Sequence, residues 1–145
     1  MSTNLLLVSP YNVSFYGGVQ NQVNLFKNGL DNSKFNVRVL APDSSDYNIG
    51  KSFKIPFNGS SNPISLIPDN EILNEAMRWA DIIHIHEPFI PLFFWRLKTS
   101  KKIVVTHHAK ISKFIYFGLK CLYLTLKNKN FYSTAVSDEA KANAL

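Results

Sequence analysis

The sequence predicts an α/β fold in which helices cover both faces of a doubly wound parallel sheet. Two features of the 145 residues point to it: short apolar runs alternate with helical patterns, and 46% of the residues are hydrophobic, enough for one core. A third feature is the run of isoleucine and histidine over residues 82–86. Runs of this kind, with so many β-branched residues, are typical of strands buried on both faces, as in parallel sheets.

The chain opens with a predicted strand over residues 5–8, a loop that contains Gly17 and Gly18, and a helix. The two glycines allow the backbone to turn and to approach a ligand closely, because they lack a Cβ atom. The first turn of the helix points its unpaired N–H groups at the same place, which favours a phosphate. An ordinary loop with two glycines is the alternative, and without a G-x-G-x-x-G pattern no dinucleotide site is indicated. The apolar face of the helix is formed by Val19, Val23, Phe26 and Leu30.

The middle of the chain predicts two strands and a helix separated by loops. Residues 35–40 form the second strand, and residues 52–57 form a weak third strand. Residues 58–68 are rich in proline and serine, which predicts an irregular surface loop. Asp69 is a suitable N-cap for a helix that runs to about Ala80. The apolar face of this helix is formed by Ile72, Leu73, Ala76, Met77 and Ala80.

Three more strands are predicted in the second half of the chain, over residues 82–86, 103–107 and 131–136. They are connected by a short apolar helix over residues 91–97 and by a hydrophobic helix over residues 111–126. Strands and helices that alternate in this way form parallel sheets with right-handed crossovers.

The hydrophobic helix over residues 111–126 carries a lysine every seven residues, opposite its predicted core side. These lysines are either a solvated face or, because aromatic residues flank them, part of a helix that lies on a membrane surface. The predicted core side consists of Ile111, Phe114, Ile115, Leu119, Leu122 and Leu126, and the lysines are Lys113, Lys120 and Lys127.

Charge and composition restrict the partners and the compartment. The net charge is +6 and the pI is about 9.5, which favours phosphates, nucleotide-sugars and acidic lipid surfaces. No nucleic-acid motif is present, so no nucleic-acid partner is expected. The single cysteine, Cys121, fits a reducing compartment. The sequence has neither a basic signal-peptide start nor an apolar run of about 18 residues, so it predicts a cytoplasmic protein.

Candidate functional residues follow four of the predicted strands. Because ligands bind outside the carboxyl ends of the strands in such sheets, these residues fall on one edge. His84 lies inside its strand and is interpreted as a core histidine, whereas His86 at the strand end is a site candidate. A histidine there binds a sugar or a phosphate, acts as an acid or base, or holds a metal, although the spacing matches no standard zinc pattern. The converging residues are Gly17, Gly18, His86, Glu87, His107, His108 and Ser137, the last of which is also the predicted N-cap of a further helix.

Five short motifs occur in a recognisable order along the chain. They are Ser9-Pro10-Tyr11, Gly17-Gly18-Val19-Gln20, His84-Ile85-His86-Glu87-Pro88, Val105-Thr106-His107-His108 and Ala135-Val136-Ser137. Together they resemble the N-terminal half of retaining glycosyltransferases of family 4, which have the GT-B fold, and within that family the phosphatidylinositol mannosyltransferases. The resemblance implies that residues 1–145 are the Rossmann-like, acceptor-side domain of such an enzyme.

The resemblance also implies what these motifs bind. His108 would be the catalytic histidine that lines the cleft near the transferred sugar. The amides around Gly17 and Gly18 would face the diphosphate of the donor or a phosphate of the acceptor. The donor would be a nucleotide-sugar with GDP or UDP, acting as co-substrate, and neither a cofactor nor a metal is expected.

On the acceptor side, Tyr11 and Gln20 would shape the pocket, and Lys113 would meet the phosphate of the acceptor. The acceptor would be a lipid or a small phosphorylated molecule, with mannosyl transfer to a phosphoinositide-like lipid as the specific form. The helix over residues 111–126 would dock peripherally on the inner face of the membrane. The remaining expected substrate-binding residues are His86, Glu87 and Ser137.

We expect the second domain of this family, which binds the nucleotide-sugar, to be absent. The chain ends about two turns into a predicted helix, which leads us to expect a truncated chain or one half of a split protein. Because transfer requires two domains to close around a dry cleft, we expect little activity from these residues alone. The alternatives are a non-catalytic binding module, one subunit of a split glycosyltransferase, and a metal-dependent hydrolase that uses the histidines.

Overall fold

The structure, a computed structural model, describes residues 2–43, 45–54, 63–65, 68–87, 99–114, 117–118, 120–121 and 130–142. Six parallel strands form its main sheet. In chain order they are β1 (Thr3–Val8), β2 (Phe35–Ala41), β3 (Tyr47–Asn48), β6 (Ile82–His86), β7 (Lys102–His107) and β8 (Phe131–Ala135). Two short strands, β4 (Phe53–Lys54) and β5 (Pro63–Ile64), form a separate antiparallel pair.

The strands of the main sheet lie in the order β3-β2-β1-β6-β7-β8. The chain thus builds one half of the sheet outward from β1, returns to the centre with β6, and builds the other half in the opposite direction. This order confirms the predicted doubly wound parallel sheet. It also places the reversal between two central strands, β1 and β6.

The centre of the sheet is the core of the domain. In β1, Leu6, Leu7 and Val8 are at most 1% exposed, and β6 is buried from its second residue to its end. Side chains on both faces of these strands are therefore out of contact with water, as the run over residues 82–86 predicts.

Helix α1 (Gly18–Gly29) follows β1 after a loop, as predicted. Its Val19 and Val23 are buried, and Phe26 and Leu30 pack against the core. The predicted apolar face is therefore the face that contacts the sheet.

Helix α2 (Asn70–Trp79) also agrees with its prediction, including its N-cap. The carboxylate of Asp69 accepts hydrogen bonds from the backbone N–H groups of Glu71, at 2.9 Å, and Ile72, at 3.2 Å. At the other end, the ammonium group of Lys101 donates to the carbonyls of Met77 and Arg78, both at 2.8 Å. Each end of the helix thus has its unpaired backbone groups satisfied by a charged side chain of the favourable sign.

The segment around residues 43–68 is where the predictions are wrong. Strand β3 was not predicted, yet it extends the main sheet beside β2. Of the weak third strand predicted over residues 52–57, the described part that is a strand is β4. It pairs with β5 and not with the main sheet. The predicted surface loop over residues 58–68 contains β5 and also Ser65, which is fully buried and donates its backbone N–H to the carbonyl of Pro10. Strands of two residues carry no periodic pattern, so their pairing depends on neighbours distant in sequence.

The hydrophobic helix predicted over residues 111–126 is described in part, with helical geometry at residues 113–114, 117–118 and 120–121. Phe114, assigned to the core side, is 88% exposed, so that assignment is wrong. Ile111, assigned to the same side, is buried as predicted, but it lies before the helical residues, so its burial does not show which face of the helix packs inward. The short helix predicted over residues 91–97 lies outside the described residues.

The last described helix is α3 (Asp138–Lys141), which follows β8. The hydroxyl of Ser137 accepts a hydrogen bond from the N–H of Ala140 at 3.2 Å, so Ser137 is the N-cap, as predicted. Among the described helices, none is both long enough and apolar enough to cross a bilayer.

Replacing the N-cap of α2 tests the contribution of this local signal to stability. In the Asp69→Ala variant, the N–H groups of Glu71 and Ile72 lose their acceptor, so we expect the free energy of unfolding to fall by about 1 kcal/mol. Urea unfolding followed by circular dichroism measures the change. The control is Glu75→Ala on the exposed face of the same helix, which should change the free energy of unfolding by less than about 0.5 kcal/mol. Equal effects of the two substitutions would contradict the capping role.

Candidate functional site

The candidate site lies where the winding of the sheet reverses. Strands β1 and β6 are hydrogen-bonded neighbours, with Val8 opposite Ile85. The chain leaves β1 toward one side and β6 toward the other, which opens a crevice at their carboxyl ends. The loop with Gly17 and Gly18 follows β1, and Glu87 directly follows β6. The structure therefore brings two of the predicted motifs to one place.

After β1 the backbone is held in a tight local arrangement. The Ser9 hydroxyl donates to the carbonyl of Tyr11 at 3.0 Å and accepts from its N–H at 3.1 Å. Both residues are buried. Asn12 continues the arrangement, since its amide donates to the carboxylate of Asp43 at 3.0 Å and accepts from the N–H of Ser14.

Gln20 and Gly17 are in contact at the start of α1. The side chain of Gln20 is 1% exposed, and neither its amide oxygen nor its amide nitrogen has a hydrogen-bond partner among the described residues. A Cβ atom at Gly17 would lie 2.3 Å from the amide oxygen of Gln20, so a larger residue there would require the side chain of Gln20 to move. Gly18 differs, because a Cβ atom there would meet nothing within 4 Å.

The N-terminus of α1 has no capping side chain and no acidic residue in its first turn. The N–H groups of its first turn are therefore not satisfied by a side-chain cap, and the positive end of the helix dipole is not neutralised locally. An anion such as a phosphate is the natural partner for such a helix end.

Three histidines lie close together beside the strand reversal, and we call His84, His86 and His108 the histidine cluster. The ring centroids of His84 and His86 are 4.3 Å apart, and those of His86 and His108 are 5.2 Å apart. The Nδ1 atom of His86 lies 3.0 Å from Nε2 of His108, which is a hydrogen bond. Phe26 of α1 packs edge-on against His84, with centroids 5.2 Å apart, and covers this end of the sheet.

Glu87 ties the end of β6 to the end of β7. Its Oε1 atom accepts a hydrogen bond from the backbone N–H of His108 at 3.0 Å, and its own N–H donates to the carbonyl of Thr106. Its φ angle is 54°, in the left-handed region that few non-glycine residues adopt. Its second oxygen, Oε2, is buried and has no partner among the described residues.

Burial changes the ionisation of these side chains. It lowers the pKa of His84 to about 4 and that of His86 to about 2, and the neighbouring histidine lowers each further. Burial also lowers the pKa of His108 to about 4, so the histidine cluster is neutral at pH 7. The pKa of Glu87 is raised by burial to about 8, despite two backbone N–H groups that favour its charged form. Burial, and then the nearby Glu87 carboxyl, raise the pKa of Tyr11.

A chain of hydrogen bonds runs from buried His84 through Thr106 to the exposed Thr134. The Nε2 atom of His84 lies 2.7 Å from the hydroxyl of Thr106, which lies 2.8 Å from the hydroxyl of Thr134. Thr134 donates to the carbonyl of Val105 at 3.2 Å. His84 is therefore a hydrogen-bonded core histidine, as predicted.

Two of the predicted site residues are not part of this arrangement. Lys113 is exposed in the partly described helix, and Ser137 is exposed at the start of α3. Within the described part of the chain, neither makes a hydrogen bond, an ion pair or a ring contact with the histidine cluster. His107 is buried beside the cluster, and its carbonyl accepts a hydrogen bond from the N–H of Val136 at 3.0 Å.

Sequence reasoning missed Thr106, Thr134 and Phe26 as parts of the site. The register offers a signal for the threonines, because Thr106 lies opposite His86 on one side and Thr134 on the other. Side chains that face each other across parallel strands share one face of the sheet. Polar residues at aligned positions of three neighbouring strands therefore indicate a hydrogen-bonded polar row across the sheet.

The candidate metal site is not found. Among the residues that the structure describes, no group of three or more histidine, cysteine, aspartate or glutamate side chains is arranged to hold a metal ion.

Comparisons with known proteins are consistent with this geometry. The model of the family Glycosyltransferase Family 4 matches residues 16–141. Two phosphatidyl-myo-inositol mannosyltransferases are similar over 121 residues, or 74% of this chain. The one from Mycobacterium leprae (strain TN) is 31% identical and the one from Mycolicibacterium smegmatis (strain ATCC 700084) is 33% identical. The match covers 32% and 31% of these relatives, so the chain spans about a third of their length.

The pKa of Glu87 predicts how stability depends on pH. Above pH 4.5 an unfolded glutamate loses its proton, whereas folded Glu87 keeps its proton up to about pH 8. The contribution of Glu87 to the free energy of unfolding should therefore fall by about 1.5 kcal/mol from pH 6.5 to pH 8. The four histidines, whose pKa values are lowered by folding, add stability of similar size over the same range as the unfolded chain releases their protons. The Glu87→Gln variant, which mimics the neutral carboxyl, should therefore gain about 1.5 kcal/mol over this range, whereas the unaltered protein should change little. Below pH 6.5 both proteins should lose stability, because the unfolded histidines bind protons that the folded ones do not.

Urea unfolding at a series of pH values measures these profiles. The exposed Glu75→Gln variant is the control, and its profile should parallel that of the unaltered protein. If the Glu87→Gln profile is also parallel, Glu87 is charged in the folded protein and the assigned pKa is wrong.

Proposed function

Because this chain belongs to glycosyltransferase family 4, we propose that the whole protein transfers a sugar, with retention, from a nucleotide-sugar to a lipid or phosphorylated acceptor. The donor is a GDP- or UDP-sugar that acts as co-substrate. The names of the two similar mannosyltransferases support mannose as the sugar and a phosphoinositide-like lipid as the acceptor.

One observation carries the proposal: the uncapped N-terminus of α1 and the His86–His108 pair lie at the same edge of the sheet, beside the strand reversal. The helix end offers N–H groups and a positive dipole to a phosphate. The histidines offer neutral hydrogen-bonding groups in a buried setting. A glycosyl transfer needs both, since charge develops on the leaving phosphate while the sugar must be held in place.

In this proposal six of the nine predicted site residues have a defined role. His108 contacts the transferred sugar, and the amides at Gly17 and Gly18 face a phosphate. Gln20 uses its buried amide, which has no hydrogen-bond partner in the described part of the chain, to bind the acceptor, and Tyr11 forms the wall of the acceptor pocket. Glu87 holds the backbone of His108 in place.

We also propose that residues 1–145 supply the acceptor side of a two-domain cleft. The chain spans about a third of the relatives' length, and the nucleotide-binding side is proposed to come from a second domain, in the same chain or in a partner. Transfer depends on closure of the two sides, which excludes water from the reacting sugar. These residues alone should therefore bind ligands but transfer little sugar.

A charge at Gly18 tests the phosphate site without disturbing the fold. The position is open and takes helical geometry, so the Gly18→Asp variant should fold and its carboxylate should favour the helix N-terminus. The same carboxylate should repel a phosphate, and we expect affinity for myo-inositol 1-phosphate or GDP-mannose to fall at least about tenfold. Calorimetric titration of the purified chain measures the affinity.

The Gly18→Asn variant is the matched control, because asparagine has the shape of aspartate without the charge. Its affinity should fall clearly less than that of the Gly18→Asp variant. Equal losses in the two variants would mean that bulk and not charge matters. Unchanged affinity in both would remove the helix end from the binding site.

The exposed face of the partly described helix supports a peripheral membrane contact, which we propose as part of the function. Phe114 is 88% exposed and Phe117 is 68% exposed, and Lys113 and Lys120 are exposed beside them. At 100° per residue these four side chains lie within an arc of roughly 120°. Aromatic rings that enter the interface beside lysines that meet anionic headgroups are typical of helices on the cytoplasmic face of a membrane.

Removing one ring tests this contact. The Phe114→Ala variant should bind vesicles of equal parts phosphatidylglycerol and phosphatidylcholine about tenfold more weakly, because a buried phenyl ring contributes about 1.5–3 kcal/mol. Phe53→Ala is the control, since Phe53 is 59% exposed and precedes an exposed lysine on β4. Co-sedimentation with the vesicles measures binding. Similar losses in both variants would show that any exposed ring contributes and that the helix is not the docking face.

A further inference from the structure

Either His86 or His108 can be the donor of the hydrogen bond between them, and the surroundings of the two rings determine which one it is. Nδ1 of His86 and Nε2 of His108 are 3.0 Å apart, so one nitrogen carries a proton and donates it to the other. A neutral imidazole carries a proton on only one ring nitrogen. The other nitrogen of the donating ring is therefore unprotonated, and the other nitrogen of the accepting ring is protonated. The direction of this one bond therefore fixes the tautomer of both rings.

The surroundings of His86 decide the direction. Its ring is fully buried, and its other nitrogen, Nε2, has no hydrogen-bond partner among the described residues. A buried N–H without an acceptor is rarer in proteins than a buried acceptor without a donor. The proton of His86 therefore belongs on Nδ1, where it has a partner, and His86 donates to Nε2 of His108.

His108 must then carry its own proton on Nδ1. Within the described part of the chain, this atom makes no hydrogen bond, and the ring is only half-buried. Its Nδ1–H group is thus available to a ligand at the edge of the sheet. The low pKa values of both rings, about 2 for His86 and about 4 for His108, agree with one proton on each ring at pH 7.

Two further contacts hold the two residues in place. Glu87 accepts a hydrogen bond from the backbone N–H of His108 at 3.0 Å, which holds the main chain at the end of β7. The ring of His84 lies against that of His86, with ring centroids 4.3 Å apart and an angle of 31° between the rings.

We propose that His86 is a positioning residue that fixes the tautomer of His108, so that His108 presents its Nδ1–H group to the substrate as a hydrogen-bond donor. In this state Nδ1 cannot accept a proton, so His108 does not act as a general base through that atom. The partner is an oxygen lone pair, on either the nucleotide-sugar or a phosphorylated acceptor. The identity of the ligand rests on the proposed function, whereas the tautomer does not.

His84 supplies an internal reference for testing the proposal. The hydroxyl of Thr134 donates its one proton to the carbonyl of Val105, so it can only accept from the hydroxyl of Thr106. Because the hydroxyl proton of Thr106 is used in that bond, Thr106 accepts a hydrogen bond from Nε2 of His84. His84 is therefore protonated on Nε2, the opposite of the tautomer inferred for His86 and His108.

Long-range ¹H–¹⁵N correlation spectra of the ¹⁵N-histidine-labelled chain at pH 7 distinguish protonated from unprotonated ring nitrogens. We expect His108 and His86 to be protonated on Nδ1 and His84 on Nε2. A spectrum in which His108 is protonated on Nε2 would overturn the proposal. This measurement uses the unaltered protein, so it does not depend on whether a variant folds.

Two variants distinguish a positioning role of the His86 side chain from a role in packing alone. In His86→Asn the side-chain amide nitrogen lies near the position of Nδ1 and donates to His108, so the Nδ1–H tautomer of His108 should persist. In His86→Phe the ring fills similar space without a donor, so His108 should shift toward the Nε2–H form. His84 should stay protonated on Nε2 in both. If His108 keeps its tautomer in His86→Phe while His84 is unchanged, His86 does not set it.

Titration with GDP-mannose and, separately, with myo-inositol 1-phosphate tests the donor role. A shift of the Nδ1–H resonance of His108 with one ligand identifies the source of the oxygen. Saturation by both ligands without such a shift overturns the donor role. If neither ligand binds, the proposed function fails, while the ligand-free spectra still decide whether His86 sets the tautomer.

Discussion

The pairing of β1 with β6 is the constraint on which the rest of the structure depends. These strands are about 75 residues apart in sequence, yet Leu5–Val8 and residues 82–85 lie in register at the centre of the sheet. Their side chains are almost fully buried, so the pairing is stabilised by removal of apolar surface from water as well as by backbone hydrogen bonds. Because the winding reverses here, the loops after the two strands separate and leave a crevice. Every residue of the candidate site is positioned relative to that crevice.

The chemistry of the crevice follows from its burial. Four histidines and a glutamate at the edge of an apolar sheet would be costly as charged groups, and the protein keeps the histidines neutral and Glu87 protonated near pH 7. Neutral rings in a setting of low polarity make strong, directional hydrogen bonds. A site of this kind orients a ligand with fixed dipoles, which suits a reaction whose main requirement is positioning and stabilisation of developing charge.

The same region leaves several polar atoms unpaired. The amide of Gln20, Nε2 of His86 and Oε2 of Glu87 are buried and have no partner among the described residues. A buried polar group without a partner costs about 1–3 kcal/mol, so such groups are uncommon in a core that serves only stability. Their presence beside the uncapped end of α1 is consistent with a surface shaped for a polar ligand. Stability and function thus make opposite demands at this edge of the sheet.

The predictions that proved right depend on local signals. The cap at Asp69, the cap at Ser137 and the strand over residues 82–86 each follow from a few adjacent residues. The convergence of Gly17 with His86 and Glu87 was predictable from topology, since the carboxyl ends of parallel strands share one edge. The predictions that failed concern β3, the β4–β5 pair and Phe114. Strands of two residues, and the direction in which one helix face points, depend on neighbours that no local pattern reveals.

By itself the sequence determined the parallel, doubly wound architecture, the order of most helices and strands, and which motifs fall on the edge that holds the candidate site. The tertiary structure alone decided how those motifs interact: that His86 hydrogen-bonds His108, that Glu87 holds the backbone of the next strand, and that Gln20 occupies the space over Gly17. The physical reason is one of range. Periodicity and capping act over a few residues, whereas hydrogen bonds, burial and the pKa values they set depend on atoms that meet only after the sheet has formed.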